Sequence, residues 1–270
     1  MAYVTRSKGR DEMSKITLAK GQVEADTHGE GPTLVLFHSL LADRSSFDAA
    51  IPVLAEHFRV VVPGLPGFDP SRPVEGGLAE VADRMAEALA ELGGEVRLLG
   101  NGYGGFVALQ LVIRHPALVS RLVIADAGAA FSEPGRAAFR GMAMGAAAKG
   151  LKGIADIAMR RLFSAHFHAE NPELVEQRRA IFLQSNPAVV IAACEALAGM
   201  DLRPEIPNID IPVLVVVGAL DEATPPAMSH ELAGLLPHAH LQVLDGLAHV
   251  PQLQDPARFL AAVLPFLVET

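Results

Sequence analysis

The chain has 270 residues, half of them hydrophobic, and a net charge of −9 from 22 Lys and Arg against 31 Asp and Glu. That length suits one α/β domain with a large core, and the acidic balance argues against a nucleic-acid surface, which needs a basic patch. A single cysteine, Cys194, excludes an internal disulfide and no metal-ligand spacing is present, while no apolar run reaches the ~18 residues of a membrane span.

The first residues, MAYVTRSKGRDEMSK, are charged and lack the apolar stretch of a secretory signal. Residues 1–14 therefore read as a flexible extension, and a cytoplasmic protein is expected. Ile16 to Ala19 and Gln22 to Asp26 read as a leading antiparallel pair. Thr33 to Phe37 is a short, fully apolar run, the mark of a strand buried on both faces. An amphipathic helix is expected from Ser46 to Phe58, then a strand from Arg59 to Val62. The next helix, Leu78 to Leu92, stops at Gly93 and Gly94. Val96 to Leu99 is a strand, and Gly104 to Arg114 a helix halted before Pro116. Leu122 to Ala125, Pro212 to Val217 and Leu241 to Leu244 are the remaining strands. Helices Pro225 to Leu236 and Pro256 to Leu267 follow the last two.

Alternation of strand and helix predicts a mostly parallel sheet with helices on both faces. Residues 129–205 break that rhythm: they carry about four helical stretches and no strand pattern. The division expected is thus a core of 15–128 and 206–270, with a helical cap, 129–205, inserted in it. Met142, Met144, Met159 and Met200 either line an adaptable pocket under the cap or fill the cap's own interior. Cys194 reads as a buried helix residue.

Leu99-Gly100-Asn101-Gly102-Tyr103-Gly104-Gly105 joins a buried strand to a helix. Small residues at 100, 104 and 105 permit a very sharp turn, the context of a nucleophile elbow. The centre of such a turn is strained so that its side chain stands at the helix N-terminus. Here that centre is Gly102, which relieves the strain and removes the nucleophile together. A serine placed there is expected to be forced into the elbow geometry and to create or greatly increase esterase activity. Glycines at 100, 102 and 105 also match a dinucleotide fingerprint. That fingerprint belongs after the first strand of its unit and needs an acid about twenty residues on, and neither condition is met. No cofactor and no metal are expected.

Asp221, in Gly218-Ala219-Leu220-Asp221, then Thr224-Pro225, lies just past a buried strand, where open α/β sheets build their sites. His249 falls in the loop after the last strand. A carboxylate that orients a histidine is the general-base pair of acyl transfer. Asp126 is a second-choice acid, and His38 and Asp43 read as loop braces. Ser39 shares their loop and could stand in for the missing nucleophile, but its ordinary role is hydrogen bonding within the loop, and that role is expected.

From about residue 15 onward the chain resembles the α/β-hydrolases, and among them the 3-oxoadipate enol-lactonases and their relatives. The resemblance rests on HSLLAD at 38–43, on Asp201-Leu202-Arg203-Pro204 before Ile211-Pro212, and on the G-x-x-D-x-x-T-P and H-x-P-x-x-x-x-P patterns around Asp221 and His249. It implies Asp221 as the acid, His249 as the base, and the backbone N–H groups of Leu40 and Tyr103 as the oxyanion hole. Three positions depart from it. Gly102 replaces the elbow serine, His38-Ser39 replaces the usual His-Gly, and Gly64-Leu65-Pro66-Gly67 lacks the usual leading Asp.

Three functions fit. One is an enzyme acting on a small ester, lactone or carbonyl substrate without an acyl intermediate, His249 deprotonating water or substrate directly. Another is a non-catalytic protein that keeps the pocket for a ligand. The third is a serine hydrolase with its nucleophile deleted. Retention of both Asp221 and His249 favours the first and third. Expected partners are a small-molecule substrate or ligand and at most a second copy of the chain, as a homodimer.

Overall fold

The computed structural model describes residues 13–269. Most of the expected N-terminal extension lies outside them. Ser14 does not: it belongs to the first strand and pairs with Thr27. The elements run β1 (Ser14–Leu18), β2 (Val23–His28), β3 (Thr33–Phe37), α1 (Ile51–Leu54), β4 (Arg59–Pro63), α2 (Leu78–Ala90), β5 (Val96–Asn101), α3 (Tyr103–Arg114) and β6 (Val119–Ala125). Then come α4 (Glu133–Lys149), α5 (Ala155–Leu162), α6 (Ala165–Glu170), α7 (Pro172–Phe182) and α8 (Pro187–Gly199). The chain ends with β7 (Val213–Gly218), α9 (Pro226–Leu235), β8 (Ala239–Leu244), α10 (Pro251–Gln254) and α11 (Pro256–Val268).

The strands form one eight-stranded sheet in the order β1-β2-β4-β3-β5-β6-β7-β8. β1 and β2 pair antiparallel with their neighbours, and every other pairing is parallel. Parallel strands covered on both faces need apolar side chains on both. On β5, Leu98 joins the core with α2 and α3, and Leu99 joins the core with α1 and α11. Parallel pairing puts the C-terminal ends of β4, β3, β5, β6, β7 and β8 along one edge.

The expected helix over 46–58 is broken. A 3-10 turn at Arg44–Phe47 is followed by the single helical turn α1. Pro52 is the cause: it has no N–H to donate four residues back, and its ring would collide with the preceding turn. Phe47, Ile51, Leu54 and Phe58 still point into the same core.

Between β6 and β7 the described chain makes five α-helices rather than four. Side chains start several of them: Ser132 accepts from Gly135 N, Ser164 from Phe167 N and Asn186 from Ala188 N. Ala130 and Asp201 form an isolated bridge, and Leu202 N donates to Ala129 O at 2.9 Å, so the cap leaves and rejoins the core at adjacent points. Arg136 donates to the carbonyls of Phe131, Ala198 and Met200, at 3.0 Å each, and ties α4 to the end of α8. Met142, Met159 and Met200 are buried within this helical layer and Met144 is exposed. The three buried ones fill the cap rather than line the cavity described below. No single described helix is long and apolar enough to cross a membrane.

Candidate active site

β5 ends at Asn101, α3 begins at Tyr103, and Gly102 between them has φ 53° and ψ −119°. This is the left-handed region, where a side chain is strained. The turn is held by Gly102 N donating to Ala125 O at 2.9 Å, and by Gly102 O accepting from Gly105 N and Phe106 N. Its glycines are sterically required. A Cβ on Gly100 would lie 2.4 Å from Gly104 O, and one on Gly104 would lie 2.3 Å from Phe37 O. The elbow is therefore intact as a backbone, with a vacant centre.

His249 faces that centre. Its Nδ1 lies 2.9 Å from Asp221 Oδ2, and both residues are buried. Asp221 also accepts from Ala223 N at 2.7 Å, Thr224 N at 3.0 Å and Thr224 Oγ1 at 2.6 Å. A carboxylate oxygen only accepts, so Nδ1 is the nitrogen that donates to Asp221. Nε2 then carries the lone pair, and it would lie 2.7 Å from a Cβ at position 102.

The loop after β3 supplies the opposite wall. His38 is fully buried; its Nδ1 donates to Ser39 O at 3.0 Å and its Nε2 accepts from Leu65 N at 3.1 Å. Burial pulls its pKa down to about 4, so the ring is neutral and can serve both bonds. Asp43 pairs with Arg178 of α7 at 2.6 Å and accepts from Ser45 Oγ. These two residues fix the loop. Ser39 differs from expectation: its Oγ makes no bond within the loop and lies 3.3 Å from His249 Nε2. The amides of Leu40 and Tyr103 donate to no acceptor among the described residues. For Tyr103 this follows from its place in the first turn of α3. Its ring is buried, 6.4 Å from Phe68.

Behind the histidine runs a second network. Asn101 Nδ2 donates to His249 O at 2.9 Å and reaches Asp126 Oδ2 at 3.3 Å, while Gln252 Nε2 donates to Asn101 Oδ1 at 3.0 Å. Asp126 accepts from Gly218 N at 2.9 Å. Its pKa is raised well above the usual carboxylate value, first by complete burial and then by the charge of Asp221. Asp126, Asp221 and His249 do bring one donor atom each within 4.8 Å of one another. Asp221 accepts four hydrogen bonds and Asp126 two from protein N–H and O–H groups, so the cluster fits a hydrogen-bonded network better than a metal cage.

Ser39, Leu40, Gly102, Tyr103, Thr224 and His249 meet at one cavity, roofed by Phe139, Arg161 and Leu197 of the cap. Its free space is about 20 Å³, close to one water. The Arg161 guanidinium lies 5.6 Å from the centre of the Phe139 ring and has no carboxylate partner among the described residues. All five residues expected at the site, Gly102, Asp221, His249, Leu40 and Tyr103, are brought together. Sequence reasoning missed Asn101, Thr224 and Gln252 as members and misassigned Ser39. Thr224 stands inside the pattern around Asp221, which could have flagged it; nothing in the sequence marks Gln252.

Residues 32–256 match the family model for the alpha/beta hydrolase fold. The chain is 30% identical over 261 residues to the pimeloyl-[acyl-carrier protein] methyl ester esterase of Aeromonas hydrophila, covering 91% of this chain and 99% of that one. It is 32% identical over 164 residues to 3-oxoadipate enol-lactonase 2 of Acinetobacter baylyi, covering 61% and 60% of the two chains. The crystal structure of the enol-lactonase from Burkholderia xenovorans LB400 superposes with a TM-score of 0.86 at 25% identity, over 95% of this chain and 100% of that one.

Proposed function

As a member of the alpha/beta hydrolase fold family, the chain carries a general-base pair and two free amides at one cavity, and we propose that it hydrolyses a small ester or lactone. His249 acts as the general base, Asp221 orients it and balances the imidazolium that forms, and Gly102 supplies no nucleophile. The amides of Leu40 and Tyr103 receive the developing oxyanion. Donors of that kind are each worth about 3 kcal/mol of transition-state stabilisation. The observation that carries the reading is the buried 2.9 Å His249–Asp221 bond, which leaves Nε2 directed at the cavity. The esterase and lactonase names of the relatives support the choice of bond.

The wall is largely apolar, with Arg161 as its cation, which suits a short acyl group. A space of about 20 Å³ cannot hold even a small ester, so Phe139, Arg161 and Leu197 withdraw with the cap when substrate enters.

The test is turnover of short-chain p-nitrophenyl esters and small lactones by the purified protein. Hydrolysis above the buffer rate that disappears in His249→Ala is expected. Binding of such compounds without turnover, seen as a thermal shift, would instead establish a ligand-binding protein.

A further inference from the structure

We propose that Ser39 is the nucleophile of this site, so that the working triad is Ser39–His249–Asp221 with the hydroxyl carried by the oxyanion loop instead of the elbow. The proposal rests on the hydrolase reading above and deepens it. Ser39 Oγ lies 3.3 Å from His249 Nε2, and because Nδ1 is the protonated nitrogen, the hydroxyl donates and Nε2 accepts. That bond is the only side-chain hydrogen bond Ser39 makes among the described residues. The residue is 1% exposed and lines the cavity, so its hydroxyl has been taken out of water for a single partner, the base. Nucleophile–base bonds before substrate arrives are often this long.

The position is also right. A Cβ on Gly102 would lie 2.5 Å from Ser39 Oγ, so the hydroxyl occupies the space into which an elbow side chain would project. The absence of a side chain at 102 is thus what admits Ser39. Both amides of the oxyanion hole keep their place with their relationship exchanged: Leu40 N now follows the nucleophile in the chain, and Tyr103 N comes from across the cavity. The Ser39 backbone is fixed by the buried His38, which takes its carbonyl at 3.0 Å and is itself held by Leu65 N.

In the first step the Ser39 hydroxyl proton passes to His249 Nε2 and Oγ bonds to the ester carbonyl carbon. The tetrahedral oxygen takes the amides of Leu40 and Tyr103. The carbonyl carbon–alkoxy oxygen bond then breaks, and the leaving oxygen takes the proton from Nε2. Water, deprotonated by His249, attacks the acyl-Ser39 ester, and its collapse returns the proton to Oγ. A lactone follows the same course, with the leaving hydroxyl retained on the acyl chain.

The experiment uses an alkyl fluorophosphonate and p-nitrophenyl acetate on the wild-type chain, Ser39→Ala, Ser39→Cys and His249→Ala, with intact mass, peptide mapping and thermal unfolding. One phosphonyl adduct on Ser39 is expected, absent from Ser39→Ala and slowed at least tenfold in His249→Ala. Ester turnover by Ser39→Ala should fall on the order of 10³-fold with unfolding unchanged. If Ser39→Ala does not fold, Ser39→Cys carries the test: iodoacetamide should alkylate position 39 ahead of the buried Cys194, and alkylation should abolish turnover. An adduct on another residue overturns the proposal. Turnover by Ser39→Ala within a fewfold of wild type also overturns it but leaves the hydrolase reading standing, with His249 activating water. Neither turnover nor labelling by the wild-type chain sinks both.

Discussion

Ser39 and Gly102 compete for one space: a Cβ at residue 102 would come within 2.5 Å of the Ser39 hydroxyl and 3.0 Å of its Cβ. A serine at 102 would therefore have to displace the Ser39 side chain to take up the elbow geometry and gain the expected esterase activity. Gly102→Ser alone should lose about 1–3 kcal/mol to the positive φ, plus the cost of the clash, and gain no activity. Ser39→Gly combined with Gly102→Ser removes the contact with Ser39, leaving the 2.7 Å approach to His249 Nε2, and should be more stable than Gly102→Ser. It should also move phosphonate labelling to position 102. Denaturant melts and peptide mapping of the three variants check this.

Asp221→Asn keeps the shape of the pair while offering His249 Nδ1 an amide that can present a donor. The ring then favours the wrong tautomer, and ester turnover should fall on the order of 10³–10⁴-fold. The amides of Ala223 and Thr224 keep an oxygen to donate to, so the melting curve should move little by comparison.

His38 gives the fold an acid limit. Its pKa is lowered by burial from 6.5 to about 4. A group whose folded pKa is depressed adds stability that is complete above the unfolded value and is lost as pH falls towards the folded one. Protonation would also turn Nε2 into a donor facing the donor Leu65 N. The stability advantage of wild type over His38→Asn should be full above pH 6.5 and shrink between pH 6.5 and 4, read from urea midpoints.

Asp126 works in the opposite sense. Its pKa is raised from 3.8 by burial and by Asp221, so its contribution is complete below 3.8 and declines as pH climbs towards the folded value. Asp126→Asn stays neutral and keeps an acceptor for Gly218 N, at the cost of the 3.3 Å bond from Asn101. The variant should gain on wild type as pH rises above 4. A stability difference that is flat with pH would contradict this.

Arg161 lines the cavity and has no carboxylate partner among the described residues. Arg161→Met keeps most of the apolar contact with Phe139 while removing the charge. It should lower kcat/KM for esters bearing a carboxylate about tenfold or more and leave neutral acetates within a fewfold. Equal effects on the two classes would show that the guanidinium only supports the cap.

The strands were legible because a parallel sheet covered on both faces writes itself as short apolar runs, such as Thr33 to Phe37 and Leu122 to Ala125. The elbow was legible because Gly100, Gly104 and Gly105 are sterically compelled. Asp221 and His249 were legible from their places past strand ends. The break at Pro52 was legible in hindsight, since proline inside a helical pattern ends it. Ser39 was not, because its meaning lies in a contact with a residue 210 positions away, and local propensity says only that serine suits a loop. A signal did exist: serine for glycine at 39 and glycine for serine at 102 are complementary departures. Read one at a time they describe damage, and read together they describe an exchange. The buried amides of Asn101 and Gln252 follow from packing and carry no mark in the sequence.

The bridge between Ala130 and Asp201 has a consequence for how selectivity can be altered. The helical segment departs from and returns to neighbouring backbone positions, and the β6–β7 register, from Leu122↔Val213 to Ala125↔Val216, is set without it. Closing a loop across two adjacent anchors costs little more for a long insert than for a short one, about 0.6 kcal/mol per doubling. A different helical insert, or a short strap, can therefore be spliced at those anchors. That would replace Phe139, Arg161 and Leu197 in one step, and the new insert would have to supply its own cation for Asp43, because Arg178 of α7 holds the loop that carries Ser39. The cavity roof is in that sense a replaceable cassette, joined to the reactive groups through the Arg178–Asp43 pair.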